Sequence, residues 1–539
     1  MHSNTELKER ILNVLRESLS ILAGQENTAV YRSVAGAVER LNEPMQLAII
    51  GKISSSKSTL VNAILGEEDV VKTGYMEETY NVSWLKYGDS SSDIRVVFKN
   101  GEISDVPKSN WGEWASHQSG NKLKTEVKYI EVFHNHEILK EINIIDTPGL
   151  DAESGIDSQN TISFLKEVRP DAVVMLFTKS IAETTLSVVQ DFQNAGRTSY
   201  TLSPLNAIGV LSKVDLMWNM ANPDKDVIAD ARRVIDKTLI ERYPEVRRAL
   251  FSILPVSALM GLASATISDD DFRDIVAISQ TDERTLSKML LSPGAFAGKK
   301  DEVTVPEERR KYLCNKFGLY GIFILSNAVK RNKDVTLSLL KETLLRKSGF
   351  DKLLQTVQAH FGGRATLIKS QAVLQDLLGQ IVSAKAKSDS AGEALKGLCS
   401  VENILVSTIL TMHEYREWEC LSKYYNGKLD LDEETAAEFT AICGEKGYSA
   451  KERLQLPSAG CSDEMIERAV ARALHWQGQY NLFSTIEPEL AGVYRVIISS
   501  YNQLIKDIRT AERDYKETKE RLQRYAYFLG ITETSHTES

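Results

Sequence analysis

A short segment near the start of the chain has the composition and spacing of a phosphate-binding loop. It runs Gly51-Lys-Ile-Ser54-Ser55-Ser56-Lys57-Ser58-Thr59, between an apolar strand pattern and an apolar helical run. Backbone amides at such a turn point at phosphate oxygens, while a lysine ammonium reaches the β- and γ-phosphates and a serine hydroxyl ligates Mg²⁺. The segment therefore predicts a nucleotide site, in which Lys57 holds phosphate and Ser58 holds Mg²⁺. A serine-rich helix cap is the alternative.

One position in this loop departs from the usual pattern. Ser56 stands where a glycine normally precedes the lysine. If the backbone needs a positive φ angle there, a residue with a Cβ atom costs about 1–2 kcal/mol relative to glycine. We therefore expect a loop that is strained at Ser56 but still able to bind phosphate.

Two further segments follow in the order that nucleotide recognition requires. Asp146-Thr-Pro-Gly149 ends an apolar run, so its carboxylate can hold Mg²⁺ through water and the Gly149 amide can contact the γ-phosphate. Ser212-Lys213-Val-Asp215 ends a later run, where Lys213 can pack beneath a base and Asp215 can accept hydrogen bonds from guanine N1 and N2. Because adenine offers no such pair of donors, the pattern predicts GTP and GDP as ligands.

Two details qualify the base site. The first residue of the base motif is usually Asn or Thr, and Ser212 departs from that pattern. Ser257-Ala258 follows a further apolar run and has the position of a loop whose backbone contacts guanine O6. A Ser-Ala dipeptide alone is not specific, so the predicted contact with guanine depends on its position after that apolar run.

These segments need a sheet to position them, and the chain supplies the pattern of one. Short apolar runs alternate with helical stretches, which predicts a mostly parallel sheet with helices on both faces. Residues 80–134 instead have the pattern of antiparallel strands and predict an extension at one edge. A helical insertion is expected at about 259–347. The predicted strands are Gln46 to Gly51, Ile142 to Asp146, Ala172 to Phe177, Ala207 to Leu211 and Ile253 to Val256.

The rest of the chain has helical periodicity. Residues 5–42 predict two amphipathic helices, and almost everything from 364 to 527 predicts helix. A heptad seam recurs there, which indicates helices packed side by side in an elongated bundle; an ordinary globular helical domain is the alternative. The predicted domains are 1–44, packing into the bundle, 45–362 as the α/β head, and 363–539 as the bundle. The seam residues are Tyr494, Tyr501, Ile508, Tyr515 and Leu522, offset by Ile497, Leu504, Ala511, Thr518 and Tyr525.

Bulk composition excludes several classes of protein. The net charge is −9 over 539 residues, so no global positive field exists to hold nucleic acid. The five cysteines are scattered, which indicates a reducing compartment. No signal-peptide pattern and no apolar stretch of about 18 residues occurs. We expect a cytoplasmic protein, with any membrane contact peripheral, at the inner face of the membrane.

At this point the sequence resembles the dynamin superfamily, and more closely the bacterial dynamin-like GTPases typified by the isoniazid-inducible proteins. The resemblance extends from Met45 to about Asp507. It implies a GTPase head, a helical neck or trunk, self-assembly as a homo-oligomer or with a second dynamin-like protein, and action on membrane lipid. The stretches that carry it are Lys57-Ser-Thr-Leu-Val-Asn-Ala, Glu78-Thr79, Val82-Ser-Trp84, Val303-Thr-Val-Pro306, Phe317-Gly-Leu-Tyr-Gly-Ile, Ser348-Gly-Phe and His475-Trp476.

The same resemblance assigns further roles in the head. It places Thr79 as the switch threonine that completes Mg²⁺ coordination and orients the attacking water, and Ser54 beside the phosphates and a monovalent cation. Ile53 occupies the place where eukaryotic dynamins carry a water-orienting glutamine, so that part of their mechanism does not carry over. No arginine finger is identifiable, which predicts slow turnover unless a partner subunit completes the site.

The motifs and the resemblance together predict that the protein is a large, self-associating GTPase that works at a membrane. A GTPase switch of the ribosome-assembly kind shares the same motifs, but no basic RNA-binding appendage follows the head. A pseudo-GTPase scaffold that partners a second dynamin-like protein is the non-enzymatic alternative, motivated by Ile53, Ser56 and Ser212.

Overall fold

In the computed structural model, the chain forms two compact units, Met1–Leu405 and Val406–Ser539. The structure describes residues 2–52, 54–71, 81–115, 126–149, 168, 170–178, 204–240, 250–298, 303–332, 334–386, 393–425, 429–445, 447, 449–457 and 460–529.

A sheet of nine strands forms the centre of the first unit, in the order β4-β3-β5-β2-β6-β1-β7-β8-β9. The five strands from β6 to β9 in that order pair parallel to one another. Every residue of β1, β6, β7 and β8 is buried, as expected where helices cover both faces of a sheet. The strands are β1 (Met45–Gly51), β2 (Ser83–Tyr87), β3 (Ile94–Phe98), β4 (Ile103–Val106), β5 (Val127–His134), β6 (Ile142–Asp146), β7 (Ala172–Phe177), β8 (Ala207–Leu211) and β9 (Ile253–Pro255).

The extension of the sheet differs in one respect from the sequence-based prediction. β3 pairs antiparallel with β4 and β5, and β2 pairs antiparallel with β6, but β2 and β5 run parallel. The strands β2 to β5 therefore form a mixed rather than an antiparallel extension. The alternation of apolar residues fixes which face of a strand is buried but not the direction of its neighbour.

Two helices precede the sheet, α1 (His2–Ile21) and α2 (Ala29–Asn42). They pack against each other and against α13 (Gly363–Ala386), whose Leu374 and Ile381 are fully buried. Lys369 of α13 donates to the Glu43 carbonyl, and Arg40 of α2 forms an ion pair at 2.9 Å with Asp171, directly before β7. These contacts join α2 and α13 to the base of the sheet.

The other helices of the first unit follow the sheet in sequence or lie between its strands. One of them, α10, is broken inside at Gly318, which has φ 67° and ψ 168°. Two π-helical turns, Ile235–Ile240 and Val357–Gly362, lie after α5 and before α13. The helices are α3 (Lys57–Leu65), α4 (Trp111–Ala115), α5 (Val227–Val234), α6 (Ala258–Thr266), α7 (Asp269–Ser279), α8 (Glu283–Met289), α9 (Pro293–Ala297), α10 (Glu307–Arg331), α11 (Leu337–Ser348) and α12 (Phe350–Thr356).

The second unit is helical, and its longest helix, α19, has 42 residues. The first half of the heptad seam is buried, as predicted, with Tyr501 and Leu504 at 2% and 3% exposure, whereas Tyr515 and Leu522 are 68% and 63% exposed. The helix α14 (Glu393–Thr411) crosses the boundary between the units. The helices that follow it are α15 (His413–Tyr425), α16 (Glu433–Ile442), α17 (Ala450–Arg453), α18 (Ser462–Phe483) and α19 (Pro488–Leu529).

A polar cluster fastens three of these helices together. Glu438 of α16 binds Arg472 of α18 through both carboxylate oxygens, accepts a hydrogen bond from Trp476 Nε1 at 2.9 Å, and accepts another from the Tyr501 hydroxyl at 2.5 Å. These contacts lower the pKa of Glu438 in spite of its burial, which opposes ionisation. The carboxylate is thus satisfied by partners from both neighbouring helices.

Among the described residues, no single helix is long and apolar enough to cross a bilayer. One pair of helices bent by 71°, Leu395–Thr411 with His413–Tyr425, has the length and composition of a membrane span when the two are taken together.

Candidate nucleotide-binding site

The predicted site segments converge at one edge of the sheet. The phosphate-binding loop follows β1, Asp146 ends β6, Ser212 to Asp215 follow β8, and Ser257 lies two residues after β9. Because these four strands are parallel, their carboxyl ends meet at the same edge, which is where open α/β sheets bind ligands.

The loop after β1 is held by its own lysine. Lys57 is 7% exposed, and its ammonium donates to the Gly51 and Lys52 carbonyls at 3.2 and 3.0 Å. A Cβ at Gly51 would lie 2.7 Å from the Ser55 Oγ and 2.8 Å from the Leu176 carbonyl oxygen, so only glycine fits there. The hydroxyl of Ser55 is buried and has no hydrogen-bond partner among the described residues.

Ser56 has the conformation that glycine would adopt most easily. Its φ and ψ angles are 71° and 30°, and Ser54 has a positive φ of 58° as well. Ser56 forms the N-cap of α3 without a hydrogen bond from its side chain. The side chain therefore supplies no visible compensation for the backbone strain that the missing glycine implies.

Ser58 and Asp146 form a second corner of the site. The Ser58 hydroxyl lies 2.9 Å from Asp146 Oδ2, and Asp146 Oδ1 is buried without a partner in the described part of the chain. Burial raises the pKa of Asp146 to about 6, against the opposing effects of the Lys57 charge and the Ser58 hydrogen bond. Hydroxyl and carboxylate oxygens are the ligands that Mg²⁺ prefers, so these residues fit a hydrated magnesium ion.

The segment after Asp146 is tied to β1. The Thr147 hydroxyl donates to the Ile49 carbonyl at 2.9 Å, and Gly149 is buried beside it. This bond fixes where the chain leaves β6. It places the Gly149 amide at the same sheet edge as the loop after β1.

The third corner contains the residues predicted to bind the base. Lys213, with a φ of 57°, precedes a 3₁₀ turn at Val214–Met217 that carries Asp215. Burial raises the pKa of Asp215, while the side chain of Ser257 and the charge of Lys213 oppose that increase. A buried carboxylate is stabilised by hydrogen-bond donors, so this position fits a ligand that brings them.

Two serines at this corner have side-chain contacts that the sequence did not reveal. The Ser212 hydroxyl donates to the Phe177 carbonyl at 2.6 Å, which links the ends of β8 and β7. Ser257 accepts a hydrogen bond from the Met260 amide at the start of α6, and its side chain also lies close enough to Asp215 to lower the pKa of that carboxyl. The sequence predicted only a backbone role for Ser257-Ala258, because no sequence pattern specifies a contact between Ser257 and Asp215.

Of the other residues considered in the sequence analysis, the structure describes two and leaves two outside the described residues. Ser54 is exposed at the outer side of the loop, and Thr59 lies in the first turn of α3. Ile53 and Thr79 lie outside the described residues. The switch role assigned to Thr79 therefore stays a prediction.

The fold of the first unit, together with this arrangement, is that of a P-loop GTPase head. Residues 47–214 match the Dynamin family. The chain is 26% identical over 442 residues to the isoniazid-induced protein IniC of Mycobacterium tuberculosis, which covers 81% of this chain and 85% of that protein. Together with the sheet and the helical second unit, these matches show that the chain is similar to bacterial dynamin-like proteins, and to IniC in particular.

Two further similarities are reported for comparison. Dynamin-like protein 2 of Campylobacter jejuni is 33% identical over 128 residues, or 24% of this chain and 20% of that protein. A solved structure of an oligomerised bacterial dynamin pair covers 97% of this chain and 79% of its own, at 18% identity and a TM-score of 0.32. The family implies a guanine nucleotide as the ligand, typically with Mg²⁺.

Proposed function

We propose that this protein binds GTP and GDP with Mg²⁺ and hydrolyses GTP. The observation that supports this best is the convergence of Lys57, Ser58, Asp146 and Asp215 at one edge of a parallel sheet, with Asp146 Oδ1 buried and lacking a partner in the described chain. A buried carboxylate oxygen without a partner costs free energy, so a ligand that supplies the missing contact is favoured.

Each residue then has a defined task. The amides of residues 51–59 and the Lys57 ammonium bind the phosphates, which requires Lys57 to leave the Gly51 and Lys52 carbonyls. Ser58, Asp146 and Thr79 hold Mg²⁺, and the ion supplies positive charge that offsets charge on the transferred phosphoryl group. Ser54 binds beside the phosphates, where a monovalent cation can also lie, and Gly149 contacts the γ-phosphate.

The base is recognised at the other end of the site. Asp215 accepts from two guanine N–H groups, Lys213 packs beneath the ring, and the backbone of Ser257-Ala258 contacts O6. Ser212 has a supporting role, since its hydroxyl is already bound to the Phe177 carbonyl.

Release of inorganic phosphate from GTP tests the hydrolytic part of this proposal. Lys57→Ala is expected to abolish most of the phosphate release, whereas Lys140→Ala, at a half-exposed lysine in the same unit, leaves it unchanged. Tight GTP binding without release, even at high protein concentration, points instead to the pseudo-GTPase scaffold, which the strained Ser56 favours.

We further propose that the nucleotide cycle is coupled to self-assembly and to a peripheral membrane contact, either direct or through a second dynamin-like protein. In this proposal the head comprises residues 45–362, and residues 1–44 join 363–539 in a helical trunk. This proposal is supported by the similarity to IniC and by the match of residues 47–214 to the Dynamin family. Sedimentation velocity with and without a non-hydrolysable GTP analogue tests the assembly step; a monomer in both conditions contradicts it.

A further inference from the structure

The break in helix α10 lies against the residue proposed to read the base. Gly318 has φ 67° and ψ 168°, in a region of backbone conformation that is open essentially to glycine alone. A Cβ built on Gly318 would lie 3.8 Å from Asp215 Oδ2 and 3.6 Å from Leu259 Cδ2. The α10 backbone therefore lies close enough to the Asp215 carboxylate for a methyl group at position 318 to be in van der Waals contact with it.

The chain just before the break is fixed by Lys316. Its ammonium donates to the Thr266 carbonyl at 2.9 Å and forms ion pairs with Glu68 at 3.0 Å and Asp271 at 3.2 Å. Glu68 follows α3, the helix that starts in the phosphate-binding loop, so this anchor also joins α10 to that part of the site.

The chain just after the break is fixed by aromatic packing. Tyr320 is 3% exposed, and its ring centroid lies 5.9 Å from that of Trp218. Trp218 directly follows the 3₁₀ turn that contains Asp215. Lys316 and Tyr320 thus hold the chain on both sides of the break. We therefore expect a backbone change caused by substitution of Gly318 to stay close to that residue.

We propose that the break at Gly318 positions the Asp215 carboxylate for the paired N–H donors of a guanine base, so that Gly318 is a specificity-determining positioning residue. This inference rests on the proposed guanine-nucleotide binding and adds a residue outside the four sequence segments that predicted the site.

The expected effect is confined to the base. A residue with a side chain is strained at the φ and ψ of Gly318, so we expect its backbone to shift and to move Asp215, whose Oδ2 lies 3.8 Å from the Cβ position. Two hydrogen bonds to a charged acceptor depend on that position, whereas the phosphates are held by the loop after β1. Affinity for GTP should therefore fall while the weak, phosphate-based affinity for ATP stays the same.

The experiment compares dissociation constants for GTP and ATP, measured by titration calorimetry on the full-length chain. Gly318→Ala is expected to lower the preference for GTP over ATP by at least about tenfold. Gly321→Ala is the matched control, because it adds the same methyl group to the same helix. The three atoms nearest to its Cβ would be Phe317 Cβ at 3.2 Å and Leu344 Cδ2 and Met260 Cγ at 3.7 Å, so none of them belongs to Asp215.

Gly318→Asn provides a second route if the alanine variant does not fold, since asparagine can keep a positive φ when ψ shifts into the left-handed helical region. Loss of GTP preference in either variant, with Gly321→Ala retaining it, supports the inference. A folded Gly318 variant with the wild-type preference overturns it, as does an equal loss of GTP and ATP affinity in the Gly318 and Gly321 variants. A wild type without any preference for GTP overturns the proposed function itself, and with it the role of Gly318.

Discussion

The variant Ser56→Gly tests whether the missing glycine in the phosphate-binding loop weakens nucleotide binding. Because Ser56 already has φ 71° and no side-chain hydrogen bond as N-cap of α3, Ser56→Gly should remove strain without removing a described contact. We expect nucleotide affinity to rise by up to about thirtyfold or to stay unchanged, since the strain is worth about 1–2 kcal/mol. Calorimetric titration with GDP measures this; weaker binding in Ser56→Gly would assign the hydroxyl a direct role.

Asp146 should make the stability of the nucleotide-free protein depend on pH. Its folded-state pKa of about 6 lies above the ordinary value of 3.8, so the buried carboxylate destabilises the fold above pH 6, and this effect fades as the pH falls toward 4. Asp146→Asn is therefore expected to stabilise the protein by about 2 kcal/mol at pH 8 and by less at pH 5. Urea unfolding at both values measures the difference.

The exposed Asp93→Asn serves as the control for that experiment. It should change stability by less than about 0.5 kcal/mol at either pH. A gain in Asp146→Asn that is the same at pH 5 and pH 8 would contradict the raised pKa.

At the scale of the helices, Glu438 carries the contacts that hold α16, α18 and α19 together. Glu438→Ala would leave Arg472, Trp476 and Tyr501 without their shared acceptor, so we expect a loss of about 2–4 kcal/mol in the free energy of unfolding. Urea denaturation followed by circular dichroism measures it. The matched control is Glu434→Ala, one turn earlier on the solvent side of α16, which should change stability by less than about 0.5 kcal/mol. Equal effects in the two variants would refute a special role for Glu438.

The elements themselves differ in how far the sequence predicts them. The strands β1, β6, β7 and β8 match their predicted ranges almost residue for residue, because fully buried parallel strands leave uninterrupted apolar runs. The parallel pairing of β2 with β5 was not predicted, since strand direction depends on contacts between residues far apart in sequence.

The site shows the same division between local and long-range information. Motif spacing brought Lys57, Ser58, Asp146 and Asp215 into one prediction, because each follows a strand of the same parallel sheet. Nothing in the sequence linked Gly318 to Asp215, about a hundred positions earlier, since the break in α10 is visible only from its backbone angles. The second half of the heptad seam shows a further limit: Tyr515 and Leu522 continue the repeat but are exposed.

For the whole molecule, the proposed membrane contact predicts flotation with liposomes. We expect the protein to float with vesicles in the presence of a GTP analogue, alone or with a second dynamin-like protein, and less so with GDP. Lys57→Ala separates nucleotide-driven binding from passive binding, because it should float equally under both conditions. Failure to float even with a candidate partner would remove the membrane assignment.

The proposed trunk predicts that the two ends of the chain are close together. Cysteines introduced in residues 5–42 and in α19 should crosslink on oxidation if the helices of 1–44 and 363–539 pack together. Cysteines on exposed positions of α8 serve as the negative control. Ready proteolysis of the first 42 residues, without crosslinking, would contradict a shared trunk.

The central claim is that the site at the carboxyl edge of the sheet reads a guanine base through Asp215. Titration calorimetry of the wild-type chain with GTP and ATP, with Mg²⁺ present, tests this most directly, and Asp215→Asn with GTP and xanthosine triphosphate extends it. Two hydrogen bonds to a charged acceptor predict at least about a hundredfold preference for GTP over ATP. The variant should bind GTP more weakly and xanthosine triphosphate more tightly. Equal affinity of the wild type for GTP and ATP would contradict the account.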